Sequence, residues 1–291
     1  MKIVFLTLEN PEGFVIYDKL CIPSFENEGM KVEEVPWTKS VNWAQYDLVI
    51  IRSTWDYQQK WKKFIEVLQT IQNQTLLANS LDTVLWNVNK KYLLELEKQG
   101  FPIIKSYFFE NELQEKEFNE IKSDCKTERL VIKPQVSANA DNTFVITLYD
   151  DYQKVKQVFK HGYILQPYLQ NIEKEGEISL FYFGNEYSHA VQKIPKAGDF
   201  RVQEEHGGNI IAYPSDKNLI QIGKNLVDYL NKKLGMLLYA RVDIVREHQN
   251  WKIMEVELIE PSLYFPYCEQ ACNRFAIAVK KWLENINKFT G

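Results

Sequence analysis

Apolar and polar positions alternate in two stretches near the C-terminus, residues 237–245 and 251–259, on either side of the polar residues 246–250. Alternation with a period of two is typical of strands that bury one face. A short polar segment between two such strands predicts a β-hairpin with a five-residue loop. One face of the hairpin should therefore belong to the core, and the other should carry polar side chains.

Three carboxylates are predicted on the polar face of this hairpin. Glu255 and Glu257 are two residues apart, so they point to the same side of the strand. If the pairing is centred near the middle of the loop, Asp243 lies opposite Ile253 or Glu255 and shares that face. Carboxylates roughly 5 to 8 Å apart repel each other, and a bound cation such as Mg²⁺ is the simplest compensation. A solvated outer face of the sheet is the alternative.

The N-terminal part of the chain alternates predicted strands with helices. The predicted elements are strands at 2–8, 31–36 and 46–52 and a helix at 14–28. This order is typical of a parallel α/β sheet, in which ligands bind beyond the carboxyl ends of the strands. No GxGxxG motif follows any of these strands, which argues against a dinucleotide-binding domain.

The segment that leaves the third of these strands is rich in polar side chains. It contains Arg52, Ser53, Thr54, Trp55 and Asp56. A cation, two hydroxyl groups and an acid at the carboxyl end of a parallel strand predict a substrate-binding segment. A structural role is the alternative, because Asp56 could cap the following helix and Trp55 could pack against the core.

Two lysine positions suggest a bound anion. Lys90 and Lys91 open a predicted helix, where the helix dipole disfavours cations unless an anion is present. Lys133 ends a short apolar strand and precedes the polar stretch 135–143, which could cover a phosphate. These positions favour phosphate binding, whereas a surface pair is the alternative for Lys90 and Lys91.

A polar loop, residues 195–209, separates the last predicted elements. These elements are strands at 163–169, 178–183 and 186–193 and helices at 216–234 and 270–288. The loop carries Arg201 and the pair Gly207 and Gly208. Loops of this length without regular structure tend to be lids or binding loops. We therefore expect Arg201 to contact a ligand, and a solvated loop arginine is the alternative.

Composition narrows the class of protein. Of the 291 residues, 45% are hydrophobic and 25% are charged, which is ordinary for a globular protein. The net charge of −4 indicates neither nucleic acid nor membrane as a partner. The four cysteines form no metal-binding pattern, and no apolar run predicts an export signal or a membrane span. We expect a cytoplasmic protein with reduced thiols and small-molecule partners.

The order of these motifs resembles that of the ATP-grasp superfamily, and within it the glutathione synthetase and RimK-like carboxylate-amine ligases. The motifs RSTWDY, GDFRVQEEHGG and ARVD, followed by MEVELIEPSLYF, are similar to those of the branch with the D-cycloserine-forming ATP-grasp enzyme. The resemblance extends from about residue 3 to about residue 283. It implies a ligase that forms a C–N bond between a carboxylate and an amine through an acyl phosphate. It also implies small amino-acid-like substrates and is compatible with a homodimer.

The resemblance implies an α/β fold that becomes α+β in the C-terminal part. Residues 1–85 would form an N-terminal substrate domain, residues 86–160 a small ATP-grasp subdomain, and residues 161–291 a C-terminal subdomain with the metal site. ATP would lie between the two subdomains. The implied cofactors are ATP and two Mg²⁺ ions, which Mn²⁺ could replace.

Particular residues acquire roles through the same resemblance. The implied ATP ligands are Lys90 and Lys133 for the phosphates, Gln166, Pro167, Tyr168 and Leu169 for the adenine, and Glu177 for the ribose. The implied metal ligands are Asp243, Glu255 and Glu257. Arg201 and Lys133 would be catalytic, with Arg201 facing the transferred phosphoryl group. The residues that would bind substrate are Arg52, Ser53, Thr54, Asp56, Arg201, Gly207 and Gly208.

The chain departs from the family pattern at two places. Residues 137–143 contain no glycine, although the loop over the phosphates is usually glycine-rich. Glu257 stands where the last metal ligand is usually asparagine. An extra carboxylate should bind the metal more tightly and leave less positive charge for the substrate.

Three other functions are compatible with the same residues. A metal-dependent hydrolase or nuclease would use the carboxylates without ATP, but it leaves the lysines unexplained. A nucleotide-binding protein without catalysis would release neither ADP nor phosphate. A RimK-like ligase would modify a protein or peptide terminus.

Overall fold

The computed structural model describes residues 1–159 and 162–290. Its N-terminal region is a parallel sheet, and its elements are β1 Lys2–Thr7, α1 Ile22–Asn27, β2 Lys31–Pro36, β3 Leu48–Ile51, α2 Trp61–Gln74 and β4 Leu76–Ala78. The strand order is β2-β1-β3-β4, and all three pairings are parallel. The predicted parallel α/β sheet is therefore confirmed. Helices cover both faces, which is why β3 is entirely apolar and buried.

The first helix is shorter than the sequence pattern predicts. The prediction spans residues 14–28, but α1 begins only at Ile22 and follows the 3₁₀ helix Asp18–Cys21. Pro23 lies in the first turn of α1. A proline is tolerated there because its missing N–H is not needed, whereas inside a longer helix it would remove a hydrogen bond. This explains why the helix starts late.

The central region contains an antiparallel sheet, which we call the central sheet. Its elements are α3 Leu81–Asn87, α4 Tyr92–Lys98, β5 Tyr107–Phe109, α5 Glu115–Cys125, β6 Leu130–Pro134, β7 Phe144–Ile146, α6 Tyr149–Val155 and β8 Tyr163–Pro167. The strand order is β5-β8-β6-β7. Helices α5 and α6 pack their apolar side chains on one face of this sheet. The opposite face is thereby left for other contacts.

The C-terminal region contains a longer antiparallel sheet, which we call the C-terminal sheet. Its elements are α7 Asn171–Glu175, β9 Glu177–Phe183, β10 Glu186–Ile194, β11 Asn209–Ala212, α8 Lys217–Leu234, β12 Tyr239–Glu247, β13 Asn250–Glu257 and α9 Ala271–Thr290. The strand order is β11-β10-β9-β12-β13. Helix α8 packs on the sheet through Leu226 and Leu230. Helix α9 packs between this sheet and the N-terminal sheet, where Phe275 belongs to one core with Phe5 and Phe183.

The hairpin β12–β13 has a tighter turn than the sequence pattern predicts. Glu247 pairs directly with Asn250, so two residues form the turn and the predicted five-residue loop is wrong. His248 adopts a positive φ of 54°, the left-handed conformation that such tight turns require. The polar residues of the predicted loop therefore extend both strands. Within the described ranges, no helix is long and apolar enough to cross a membrane.

Candidate active site

A deep cavity lies between the central sheet and the C-terminal sheet. Strands β6, β8, β9, β12 and β13 contribute to its wall, together with parts of the loops at 137–143 and 200–203. The predicted site residues that line it are Lys90, Lys133, Gln166, Pro167, Tyr168, Leu169, Glu177, Arg201, Asp243, Glu255 and Glu257. The fold thus brings residues from distant parts of the sequence to one cavity.

A β-bulge decides which hairpin side chains face this cavity. Near the turn, Ile244 pairs with Ile253. An unbroken ladder would then place Asp243 opposite Met254. Instead the register shifts by one residue, and Asp243 pairs with Glu255. Directly opposed residues share a face of the sheet, so the bulge places the aspartate beside the glutamates.

An arginine that the sequence analysis did not select lies among these carboxylates. Arg241 Nη2 donates to Asp243 Oδ2 at 2.8 Å and also to the carboxylate of Glu257. Ser179 Oγ donates to the other oxygen of Asp243 at 2.6 Å. The signal was present in the sequence, because Arg241 precedes Asp243 by two residues and so lies on the same face.

The two predicted phosphate lysines differ in their partners. Lys90 Nζ lies 2.8 Å from Glu255 Oε1 and donates to the carbonyl of Ser137 at 2.7 Å. Lys133 is 8% exposed, and no salt bridge joins it to any carboxylate of the described chain. Burial lowers the pKa of Lys133, which means that its charge is not fully compensated. A buried cation without a partner is the expected setting for an anionic ligand.

The carboxylates respond differently to this environment. Burial, opposed by Arg241, raises the pKa of Glu257 to about 7. Although burial disfavours ionisation, Arg241 and Lys193 hold the pKa of Asp243 well below its usual range. Burial likewise opposes ionisation of Glu255, but Lys90 and then Lys133 hold its pKa below the usual value. Of the three carboxylates, only Glu257 has a raised pKa, so its ionised form is the least compensated. A bound cation would favour that form, and the hard oxygen donors of the cluster suit Mg²⁺.

The carboxylates do not form a complete metal cage by themselves. Over the described ranges, no three His, Cys, Asp or Glu side chains are grouped so that they could hold a metal ion. Mg²⁺ commonly takes only one or two carboxylates and completes its shell with waters and phosphates. Metal binding by Asp243, Glu255 and Glu257 consequently stays a prediction that requires a nucleotide.

Glu177 forms a buried ion pair next to the carboxylate cluster. Its partner is Lys193 from β10, which also lies 3.5 Å from Asp243. Burial, opposed by Lys193, raises the pKa of Glu177 to about 7. Lys193 thus links the predicted ribose ligand to the carboxylate cluster.

One end of the cavity is apolar. Leu169 packs with Ile104, Ile172 and Met254, and all four line the cavity. Met254 is the unpaired residue of the bulge. A flat aromatic base fits such a surface because its faces are apolar. The polar edge of the base would then meet the end of β8.

The loop with Arg201 folds back on itself. Arg201 Nη2 donates to Asp199 Oδ2 at 2.7 Å, and its side chain is 39% exposed. Gly207 has a φ of 80°, and a Cβ on Gly208 would lie 2.1 Å from the carbonyl oxygen of Val202. The two glycines therefore permit the fold of the loop, and neither lines the cavity.

The polar segment after β3 does not line the main cavity. Arg52 is 1% exposed, donates to Asp18 Oδ1 at 2.8 Å and donates to the carbonyl of Pro261 at 3.1 Å. Ser53 and Thr54 are buried, and Asp56 accepts a hydrogen bond from Trp37 Nε1. None of these four residues lines the cavity. The structure gives Arg52 a structural role, as a link between the N-terminal sheet and the chain after β13.

A second, polar cavity adjoins the first. Residues of both cavities include Lys193, Gln203, Arg241, Glu257 and Glu260. Burial, and after it the charge of Glu257, raises the pKa of Glu260 to about 8. Strand alternation does not identify Glu260 as a site residue, because it lies beyond the last residue of β13.

The cavity carries lysines and carboxylates and lies between two antiparallel sheets that follow an N-terminal parallel sheet. This arrangement is typical of the ATP-grasp class of ligases. Two parts of the chain match known families: residues 3–79 match the N-terminal domain of D-cycloserine synthetase DcsG, and residues 112–264 match the ATP-grasp domain of prokaryotic glutathione synthetase. The second match covers more than half of the chain. The chain therefore belongs to the prokaryotic glutathione synthetase ATP-grasp family.

Individual relatives agree with this assignment. The cycloserine biosynthesis protein DcsG of Streptomyces lavendulae is 25% identical, over 88% of this chain and 90% of the relative. The crystal structure of D-cycloserine synthetase DcsG has a TM-score of 0.86 at 22% identity, over 97% of this chain and 100% of that chain. D-alanine–D-alanine ligase from Bacillus anthracis, complexed with ATP, has a TM-score of 0.70 at 13% identity, with both chains fully covered.

Family membership confirms the predicted enzyme class and cofactors. ATP-grasp ligases form C–N bonds and use ATP with Mg²⁺. The predicted fold class is confirmed as well, because the parallel sheet and the two antiparallel sheets have the arrangement of these ligases.

Proposed function

We propose that the protein activates the carboxylate of a small amino-acid-like molecule with ATP and joins it to an amine through an acyl phosphate. The observation that carries this proposal is the distribution of charge in the main cavity. Lys133 is a buried cation without a carboxylate partner in the described chain. In the same cavity, burial raises the pKa of Glu257 to about 7, so its ionised form is only partly compensated by Arg241. A polyphosphate with Mg²⁺ would neutralise both.

The nucleotide would lie along the cavity with its base at the apolar end. Leu169 and Met254 would contact the faces of the adenine, and the backbone at the end of β8 would read its edge. Glu177 would accept a hydrogen bond from a ribose hydroxyl. Lys90 and Lys133 would hold the phosphates, because both are buried cations that line the same cavity.

The carboxylate cluster fits the metal that this family uses. Asp243, Glu255 and Glu257 would hold Mg²⁺ together with phosphate oxygens. When bound, Mg²⁺ supplies charge neutralisation for the phosphates. Arg241 already contacts two of these carboxylates and would orient them.

The reaction itself needs positioning and charge stabilisation more than a nucleophilic side chain. A substrate carboxylate oxygen attacks the γ-phosphorus, and the bond to ADP breaks. The neutral amine then attacks the acyl carbon, the C–N bond forms, the nitrogen gives up a proton to solvent, and phosphate leaves with the electrons of the C–O bond. Arg201 can offer two parallel N–H groups to the phosphoryl oxygens once it releases Asp199.

We also propose a division of the chain into three functional units. Residues 1–85 would contribute to the carboxylate substrate site, and residues 86–160 and 161–291 would hold ATP between them. The names of two relatives, a cycloserine biosynthesis protein and a D-alanine–D-alanine ligase, support a small amino-acid-like substrate.

A substrate screen tests this function. The protein is incubated with ATP, Mg²⁺ and a panel of L- and D-amino acids and dipeptides, and phosphate release is followed together with the mass of the product. We expect phosphate release that depends on one carboxylate and one amine and that stops without Mg²⁺. Glu255→Gln should reduce it by about 10²-fold, the usual effect of losing one well-placed electrostatic group.

A matched control is Glu247→Gln, a partly exposed carboxylate at the turn end of the same hairpin, which should leave the rate unchanged. Phosphate release without an amide product, or a fully active Glu255→Gln enzyme, would contradict the proposed function.

A further inference from the structure

The second cavity contains an acidic residue that lacks a cation. Glu260 is 9% exposed and lines both cavities. Its carboxyl group has a hydrogen bond with the Tyr57 hydroxyl, but no salt bridge joins it to any basic side chain of the described chain. A buried carboxylate is costly unless a cation or several donors compensate it. Without such compensation burial favours the neutral carboxyl group, and a cation bound beside Glu260 would stabilise its carboxylate form.

The two cations of this cavity are engaged elsewhere. Arg241 pairs with Asp243 and Glu257. Lys193 pairs with Glu177 and lies 3.5 Å from Asp243. Neither forms a salt bridge with Glu260, so the deficit of positive charge at Glu260 is not met by its cationic neighbours.

A second acceptor in the same cavity is also unused. The side-chain oxygen Oε1 of Gln203 is buried and has no hydrogen-bond partner in the described chain. Gln203 lines both cavities, as Glu260 does. A buried acceptor without a donor is rare in folded proteins and calls for a ligand or an ordered water. This observation is independent of the charge argument and points to the same kind of ligand, one that carries N–H groups.

We propose that the second cavity is the subsite of the amine substrate, and that Glu260 and Gln203 accept hydrogen bonds from its ammonium group. The inference rests on the proposed ligase function and identifies the amine as a primary amine in its protonated form. An ammonium group offers donors to both acceptors and supplies the missing positive charge at Glu260. Because Glu260 and Gln203 also line the main cavity, an amine held there borders the site where the acyl group is activated.

Calorimetric titration with a defined amine tests this subsite. The protein is saturated with Mg²⁺ and the non-hydrolysable ATP analogue AMPPNP, and D- and L-alaninamide are titrated at pH 7. Alaninamide carries a primary amine and no carboxylate, so it cannot occupy the acid site. Glu260→Gln should weaken the binding of the preferred enantiomer by about tenfold or more, the effect of losing a charge-assisted hydrogen bond. AMPPNP affinity should stay within about threefold.

Two further variants keep the test decisive. Glu205→Gln removes an exposed carboxylate of the same cavity that accepts the backbone N–H of Val15, and it should weaken alaninamide much less than Glu260→Gln. Gln203→Met preserves the side-chain volume, removes the acceptor and should weaken alaninamide by a few-fold. This variant tests the subsite even if Glu260→Gln does not fold.

The outcomes separate this inference from the proposed function. If AMPPNP with Mg²⁺ does not bind, the proposed function fails. If it binds but neither alaninamide shows saturable binding, or if Glu260→Gln and Gln203→Met keep normal affinity, only the amine subsite is overturned. If Glu205→Gln and Glu260→Gln weaken alaninamide binding equally, the effect comes from the overall negative charge of the cavity. That result would also overturn the amine subsite. A loss of Mg²⁺-dependent AMPPNP affinity in Glu260→Gln would assign Glu260 to the metal site instead.

Discussion

At the scale of single residues, burial and partners separate groups that look alike in the sequence. Lys90 and Lys133 were both predicted to bind phosphate. In the structure, Lys90 forms a salt bridge with Glu255, whereas Lys133 has no salt bridge within the described ranges. Burial lowers the pKa of Lys133, so the folded protein carries an electrostatic cost there. A bound phosphate would remove that cost. Lys133 should therefore matter more for ligand binding than for stability.

The variant Lys133→Met tests this difference. It keeps an apolar stem and removes the charge, so we expect ATP affinity measured by calorimetry to fall by about tenfold or more. The melting temperature of the nucleotide-free protein should stay the same or rise, because a buried unpaired charge has been removed. Lys116→Met, at a position where the lysine side chain is 87% exposed, is the control and should change neither quantity. Unchanged ATP affinity in Lys133→Met would argue against phosphate binding at this residue.

His189 gives the protein a specific dependence of stability on pH. Its ring stacks on Phe181, Nε2 lies 3.1 Å from the carbonyl of Leu263, and Nδ1 lies 2.9 Å from Ser188 Oγ. Burial lowers the pKa of His189 from 6.5 to about 4, and Arg274 acts in the same direction. Between these values the unfolded state binds a proton that the folded state does not bind. Stability should therefore fall as the pH falls from about 6.5 to about 4.

Urea unfolding at a series of pH values measures this effect. Relative to wild type, His189→Gln should lose less unfolding free energy over that window, by up to about 3 kcal/mol, because each pKa unit corresponds to about 1.4 kcal/mol. Glutamine can still donate to the carbonyl of Leu263. Parallel pH curves for the two proteins would contradict the assignment.

At the scale of elements, the loop between β10 and β11 combines a fixed and an adjustable part. Glu204 accepts hydrogen bonds from the hydroxyl groups of Tyr17 and Tyr267, which ties the loop to two other regions. The side chain of Arg201, by contrast, is partly exposed and forms hydrogen bonds only with its neighbour Asp199 among the described residues. The loop can therefore stay attached while Arg201 exchanges Asp199 for a phosphoryl group.

The variant Arg201→Lys tests whether that exchange contributes to the reaction. A lysine cannot reproduce the planar two-point contact, so we expect kcat to fall by about 10²-fold while ATP affinity changes only a few-fold. Hydrogen exchange across residues 196–209 should slow when ATP, Mg²⁺ and the carboxylate bind. Equal exchange in both states, together with a normal kcat, would remove this loop from the mechanism.

At the scale of the whole molecule, the N-terminal sheet holds the chain just after β13. Arg52 donates to the carbonyl of Pro261, and Trp55 Nε1 donates to that of Glu260 at 2.8 Å. Asn79 Nδ2 donates to the carbonyl of Leu258 at 2.9 Å, and the Tyr239 hydroxyl donates to that of Ile259 at 2.7 Å. Substitutions in this region should act on stability and on the position of Glu260.

The variant Arg52→Met distinguishes this structural role from the predicted role in substrate binding. It leaves the buried Asp18 without its partner, which should destabilise the protein by about 3 to 5 kcal/mol. The double variant Arg52→Met, Asp18→Asn should be less destabilised, because no unpaired charge remains. A raised KM for the carboxylate at unchanged stability would instead support the substrate role that the sequence suggested.

The sequence by itself determined the local pattern of the fold and the chemical character of the site. Periodicity predicted the parallel sheet, the hairpin and the shared face of Glu255 and Glu257, because side-chain direction follows from position along a strand. Motif order predicted the family and the cofactors. These inferences depend on neighbours in sequence or on the order of parts, and both can be read from a single chain.

Only the tertiary structure decided the register, the partners and the depth of burial. The sequence allowed Asp243 to lie opposite Ile253 or Glu255, and the bulge at Met254 selects Glu255. Arg52 is buried against Asp18 and the chain after β13, which lies more than 200 residues away in sequence. Whether the carboxyl group of Glu260 is ionised depends on which cations lie beside it in the folded protein. Each of these outcomes is set by contacts between distant segments, whose energies appear only when packing brings the segments together.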